Sequence, residues 1–248
     1  MGLLDGETPP RREMLLFFLI DKSGSMGGSK IGSVNDAIEN VLPMIAEISD
    51  NNTDAEIKVA ALEFSNTTNW LYDEPKLANE FIWQKVQAGG MTSLGEACVE
   101  LSKKLSRTNG YVVKSETGSG YYAPAVILLS DGGPTDNFDA GIKTLQGNTW
   151  FKNAIKIAIA IGDDADESVL ETFTGSKEAV VRVKNIDALK TMIKVIAITS
   201  SQIGSQSSSV ADGSKQAEVE KKIGEVAAAT PGAETPAAPK PDEYDEWD

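Results

Sequence analysis

The apolar run Leu15-Leu16-Phe17-Phe18-Leu19-Ile20 passes without a spacer into Asp21-Lys22-Ser23-Gly24-Ser25. An uninterrupted run of this kind reads as a strand covered on both faces, because a strand with one wet face alternates apolar and polar residues. Its end carries a cluster of small oxygen-bearing side chains. Those are the donors a hard cation uses, and the mouth of an α/β sheet is where such ligands collect.

Continuous apolar runs at residues 57–64 and 124–130, and a last one at 155–161, predict further strands of the same parallel sheet. Between the first two strands, Ile31, Val34, Ile38, Val41, Leu42, Ile45 and Ile48 recur at helical spacing, so a long amphipathic helix with a bend at Pro43 is expected. Residues 67–72 follow a tight turn at Ser65-Asn66 and read as a short antiparallel edge strand. Ser93-Leu94-Gly95-Glu96 has the form of a capping box opening a helix with the stripe Leu94, Ala97, Cys98, Leu101 and Leu105. A short helix with Phe138, Ile142 and Leu145, a helix capped by Asp166, a strand at 179–183 and a helix lined by Leu189, Met192, Ile193 and Ile196 complete the order. The alternation gives an α/β fold with a doubly wound, mostly parallel central sheet, one antiparallel edge strand and helices on both faces. Residues 1–12 read as an N-terminal extension, 13–200 as the domain, and 201–248 as an acidic low-complexity tail, mostly disordered, with a short helix at 215–229. The Gly- and Ser-rich segment 109–122 is expected to be an exposed excursion.

Composition narrows the chemistry. The chain has no His, so an ion here must be held by oxygen, and Mg²⁺, Ca²⁺ and Mn²⁺ are the candidates. A formal net charge of -14 without a basic stripe argues against nucleic acid as a partner. The single Cys98 offers no internal disulfide, which makes a cytoplasmic address the default. Arg11-Arg12 ahead of the apolar residues 14–20 has the outline of an export signal, but the run lacks a small-residue cleavage site and ends in the Asp21 cluster, so a strand is expected. It also falls far short of the ~20 residues that span a bilayer, and no membrane association is expected. Gly2 opens no myristoylation signal, since position 6 is Gly.

Three strand ends bear suitable oxygens: Asp21, Ser23 and Ser25 after the first, Asp131 in Ser130-Asp131-Gly132-Gly133 after the third, and Thr92 in Gly89-Gly90-Met91-Thr92-Ser93 ahead of a helix. Three hydroxyls and two carboxylates would then converge on one cation. In order and in strand context these residues resemble the von Willebrand factor A fold and its metal-ion-dependent adhesion site, whose pattern is Asp-x-Ser-x-Ser followed by a distant Thr and a distant Asp. The resemblance covers roughly residues 13–200 and misses no position of the motif. It implies that Ser23, Ser25 and Thr92 contact the metal directly, while Asp21 and Asp131 act through water and hydrogen bonds. It also implies a vacant coordination position that an Asp or Glu of a protein partner fills, Mg²⁺ being the first choice of ion. Arg11-Arg12 and the stretch Gly89-Gly90-Met91-Thr92-Ser93-Leu94-Gly95-Glu96-Ala97 look most like the bacterial tellurite-resistance-associated group, which implies a kinase and a phosphatase as companions in a stress response.

Each motif has a plainer reading. Asp163-Asp164 and Asp166-Glu167 are expected to be helix-start charges rather than a second metal site. Cys98 is read as a small buried helix residue, the Trp side chains at 70, 83 and 150 as packing at sheet edges and helix joints, and Thr135 as part of the turn after Pro134. Thr230-Pro231 and Thr235-Pro236 are candidate phosphorylation points. A binding module rather than an enzyme is expected, because a haloacid-dehalogenase-type phosphatase needs a second Asp where Ser23 stands, and residues 24–30 lack the phosphate-loop spacing. A third reading has the acidic tail, residues 240–248, offering a carboxylate to the site of another copy.

Overall fold

Each of the expected apolar runs forms a strand, and their order in space fixes where loops can meet. In the computed structural model, which describes residues 11–112, 120–205 and 212–235, the chain runs β1 (Arg12–Asp21), α1 (Ser29–Asp50), β2 (Ala55–Phe64), β3 (Thr68–Trp70), β4 (Lys76–Leu77), α2 (Leu94–Lys104), β5 (Ala125–Ser130), α3 (Phe138–Gln146), α4 (Thr149–Lys152), β6 (Ile155–Ile161), α5 (Glu167–Thr174), β7 (Val180–Val183), α6 (Ile186–Gly204), α7 (Asp212–Ala229) and β8 (Ala233–Glu234). The described strands form one sheet in the order β3-β2-β1-β5-β6-β7-β8, with β4 also paired to β2. β2, β1, β5, β6 and β7 are parallel, and β3 is the expected antiparallel edge. β4 joins β2 and β8 joins β7 in the antiparallel sense, so both margins of the parallel sheet carry short antiparallel strands.

Alternate residues of β1 enter opposite layers. Met14, Leu16, Phe18 and Ile20 pack beneath α1 and α6, and Leu15, Phe17 and Leu19 pack against α2, α3 and α5. A strand buried on both faces therefore needs no polar residue until its last position, which is why the apolar run is continuous. α1 runs unbroken through Pro43, which lies on the exposed side of the helix, away from the core that its missing N–H would otherwise disturb. Arg11 and Arg12 serve the fold: the Arg11 guanidinium donates to the carbonyls of Ser49 and Asn52 at the end of α1, and Arg12 donates to the Tyr121 carbonyl.

The fold continues past residue 200. α6 extends to Gly204, and α7 occupies the expected position of a helix at 215–229 but is packed into the core. Val219, Ile223 and Ala227 lie four residues apart on one face and are fully buried. Gln216 accepts from the Lys156 N–H at 2.8 Å and donates to the Lys156 carbonyl at 3.0 Å, completing the ladder at the start of β6 where β7 does not reach. The net negative charge of residues 200–248 conceals this stripe, because a helix needs only one apolar face to be held. Half of the expected excursion at 109–122, residues 113–119, lies outside the described residues, as do Pro236 of the Thr235-Pro236 step and the acidic segment 240–248.

Candidate metal centre

The chain leaves β1 toward β2 on one side and later returns to place β5 on the other, so the crevice between the carboxyl ends of β1 and β5 is a topological switch point. Asp21 and Asp131 stand at its two banks. Asp21 is fully buried, its Oδ1 accepting from the Ser23 N–H at 2.8 Å and its Oδ2 from the Ser130 hydroxyl at 2.6 Å. Ser130 Oγ in turn accepts from the Gly132 N–H at 2.8 Å. Burial holds the Asp21 carboxyl above its ordinary range; the Ser130 and Ser23 hydrogen bonds oppose that push and neighbouring Asp131 adds to it. After Ser25 the chain drives Met26 fully into the core, which fixes the short turn that presents the two serines. Gly132 has φ +76, and an added Cβ would lie 2.6 Å from the Asp166 carbonyl, so the turn carrying Asp131 closes only with glycine.

Thr92 arrives on a segment between β4 and α2 that lacks regular structure, and its placement is made by contacts from elsewhere. Phe81, Trp83 and Val86 sink into the α1 side of the core. Buried Asn35 of α1 accepts from Trp83 Nε1 at 3.0 Å and from the Val86 N–H at 2.8 Å, and donates to the Val86 carbonyl at 2.8 Å. The segment then binds the first loop through Gly24 N–H to the Gly90 carbonyl at 2.9 Å and Gly89 N–H to the Lys22 carbonyl at 2.7 Å. The third loop joins through Thr135, whose N–H donates to the Thr92 carbonyl at 2.8 Å and whose hydroxyl accepts from the Thr92 N–H at 3.0 Å. All three loops are thereby stitched by backbone groups.

The donors suit a hard cation. Ser23 Oγ and Ser25 Oγ are 2.9 Å apart, close to the roughly 2.9 Å edge of an octahedron with metal–oxygen distances near 2.1 Å. Ser23 and Thr92 are buried while Ser25 is exposed, so the pair opens toward solvent at one end. Asp131 Oδ2 is buried without a hydrogen-bond partner, an arrangement that a positive charge relieves. The donor set is hydroxyl-rich, and among the described residues no group of three or more His, Cys, Asp or Glu side chains forms a metal cluster. Asp166 is a helix cap, as expected, accepting from the Ser168 and Val169 N–H groups at the start of α5.

All five residues singled out in the sequence thus lie on the loops that meet at the switch point, with Ser23, Ser25 and Asp21 in direct or one-step hydrogen-bond contact. Those that position them are less visible in sequence. Ser93 makes no capping bond to its helix; the Asp136 carboxylate does so instead, accepting from the Gly95 and Glu96 N–H groups at 3.0 and 2.8 Å. The Ser93 hydroxyl points to the Asn66 carbonyl, because Asp136 arrives from the next strand's loop with a charged acceptor. Thr135 is a tie between loops rather than a mere turn residue. Cys98 is fully buried in α2, and burial pushes its thiol up.

A family model described as the von Willebrand factor type A domain matches residues 16–195. No curated protein matches the chain. Among solved structures, a von Willebrand factor type A protein from Catenulispora acidiphila is 17% identical, with a TM-score of 0.54 over 77% of this chain and 43% of that one. The ArnB paralog VWA2 from Sulfolobus acidocaldarius is 19% identical, with a TM-score of 0.52 over 73% and 44%. Proximal thread matrix protein 1 from the mussel byssus, with a zinc-occupied MIDAS motif, is 16% identical, with a TM-score of 0.56 over 77% and 48%. The match spans less than half the length of each of these proteins.

Proposed function

We propose, from the premise that this chain belongs to the von Willebrand factor type A domain family, that it is a divalent-cation-dependent protein-interaction module. Its site is made by Asp21, Ser23, Ser25, Thr92 and Asp131, and it captures an Asp or Glu side chain of a partner protein. The observation that carries this reading is the buried Asp131 oxygen that accepts no hydrogen bond, on the bank opposite two serine hydroxyls 2.9 Å apart whose turn is anchored by Asp21 through the Ser23 amide and the Ser130 hydroxyl. Mg²⁺ is the ion we assign, with Mn²⁺ and Ca²⁺ as alternatives, because every donor is oxygen and most are neutral.

When bound, the ion supplies an electrophilic position for an incoming carboxylate oxygen. The chain's own residues do the rest. Ser23, Ser25 and Thr92 would hold the ion with uncharged oxygens, which would leave most of its charge for a partner carboxylate. Asp21, locked by Ser130 and by the Ser23 amide, fixes the orientation of the serine turn. Asp131 balances charge from the opposite bank. Exposed Met91, 58% accessible beside buried Thr92, offers an apolar rim against which a partner surface can desolvate. We read the chain as a binder rather than an enzyme, since Ser23 stands where a phosphatase of the haloacid-dehalogenase kind needs its acid. A cytoplasmic role beside a kinase and a phosphatase in a tellurite-resistance-type stress response is the finer reading. It is supported by the resemblance of Gly89-Gly90-Met91-Thr92-Ser93-Leu94-Gly95-Glu96-Ala97 to that group.

Calorimetric titration of the full chain with Mg²⁺, Mn²⁺ and Ca²⁺ tests the site, followed by capture of protein partners with and without EDTA. The wild type is expected to take up one ion and to hold partners only without EDTA. Asp21→Ala is expected to fold normally and do neither. Absence of uptake of any of the three ions, or equal capture by both forms, overturns the reading.

A further inference from the structure

We propose that Lys30 is a built-in counter-ion of this site: its ammonium holds the Asp131 carboxylate when the site is empty and transfers to Asp164 when a divalent ion binds. The inference deepens the reading above and rests on it.

Lys30 is the second residue of α1, where the aligned peptide dipoles disfavour positive charge, and the first turn of that helix contains no acidic residue. The compensation comes from two other loops. Nζ lies 3.9 Å from Asp131 Oδ2 and 3.6 Å from Asp164 Oδ1. The two partners are solvated very differently: the Asp131 side chain is 8% exposed and that of Asp164 is 77% exposed. Asp131 Oδ2 accepts no hydrogen bond, so the ammonium is the positive charge facing an anion that water does not reach. A buried carboxylate without a counter-charge is strongly disfavoured, whereas an exposed carboxylate such as Asp164 gains little from an ion pair. Although Nζ lies slightly nearer Asp164, the electrostatic gain in the empty site therefore comes mainly from Asp131.

A divalent ion reverses the balance, because it takes over the neutralisation of Asp131 and repels an ammonium only a few ångströms away. Asp164 is already within reach, so the transfer needs no more than rotation of a flexible four-carbon stem. The backbone leaves room for this. Gly162, at the end of β6, has φ +101, and a Cβ added there would lie 2.9 Å from both Lys30 Nζ and Asp164 Oδ1. A cation placed against the helix dipole and seated between a buried and an exposed acid breaks a local rule at a site where a competing cation is expected.

The test uses the full chain as wild type, Lys30→Gln, Lys30→Arg, Asp164→Asn and the Lys30→Gln/Asp164→Asn double variant. Mg²⁺ and Mn²⁺ affinities are measured by calorimetry, and melting temperatures are measured in EDTA. Lys30→Gln is expected to bind Mg²⁺ roughly tenfold more tightly, the order of effect of removing one competing charge near the ion. It is also expected to melt lower than wild type in EDTA, since Asp131 then lacks its counter-charge. Lys30→Arg should stay close to wild type in both measurements. Asp164→Asn should weaken Mg²⁺ binding several-fold in the wild-type background and have little effect in the Lys30→Gln background, a coupling that a general field effect would not produce. Metal uptake by the wild type that is unchanged in Lys30→Gln overturns the exchange and leaves the site reading intact. No metal uptake by either form overturns both.

Discussion

Asp136 caps α2 from the loop after β5, about forty positions along the chain from the amides it receives. Replacing it with Ala should cost about 1 kcal/mol, the usual value of a cap, whereas Ser93→Ala should leave the cap untouched. Urea denaturation of the two variants checks this, and a larger loss in Ser93→Ala would contradict it. Local spacing suggested a capping box, but spacing cannot reveal that a charged acceptor from a distant loop takes the same amides. Asn35 shows the same limit: it reads as one polar residue in the apolar stripe of α1, yet it carries the hydrogen bonds that place the segment leading to Thr92. The candidate metal donors themselves were legible because each sits at the end of an apolar run or beside glycines, where small oxygen-bearing residues have no packing reason to cluster. Ser130, Thr135 and Lys30 were not, because their importance lies in what they touch across loops.

At the scale of elements, the parallel strands and the main helices could be read from period and burial, since a strand covered on both faces and an amphipathic helix leave different patterns. The clasp formed by α7 and β8 could be read only in part. Its acidic composition masks the stripe of Val219, Ile223 and Ala227, and two-residue β8 is too short for any periodicity. It closes the fold by packing α7 on α6 and covering the β7 edge, a row of peptide groups that would otherwise be open to pairing. Ile223→Ala should therefore cost about 2–4 kcal/mol, as for a core residue. A chain ending at residue 235 should melt like the full chain, and one ending at 205 should melt much lower and tend to associate. Thermal melts with light scattering distinguish these outcomes, and equal stability of all three forms would show that α7 is not part of the core.

At the scale of the whole molecule, a net charge of -14 makes self-repulsion a standing cost of the compact state, and the divalent cation of the proposed site, held only by the folded chain, would offset it. If Mg²⁺ is the ion, a free concentration a hundredfold above its dissociation constant would add about 2.7 kcal/mol to stability by linkage. The melting temperature should thus rise with Mg²⁺ and fall on adding EDTA, and the rise should shrink to that of matched ionic strength in Asp21→Ala. An equal rise in both forms would assign the effect to screening alone. Among the described residues no helix is long and apolar enough to cross a membrane. What the amino-acid order determined by itself was the class of fold and the kinds of donor at the strand ends, because hydrophobic period and side-chain chemistry are properties of neighbouring residues. What only the tertiary structure decided was that the loops after β1, before α2 and after β5 are tied amide to carbonyl at one switch point, with Lys30 between Asp131 and Asp164. Backbone hydrogen bonds and charge pairs between distant segments leave no periodic trace in sequence, since any residue can supply the peptide groups that make the ties.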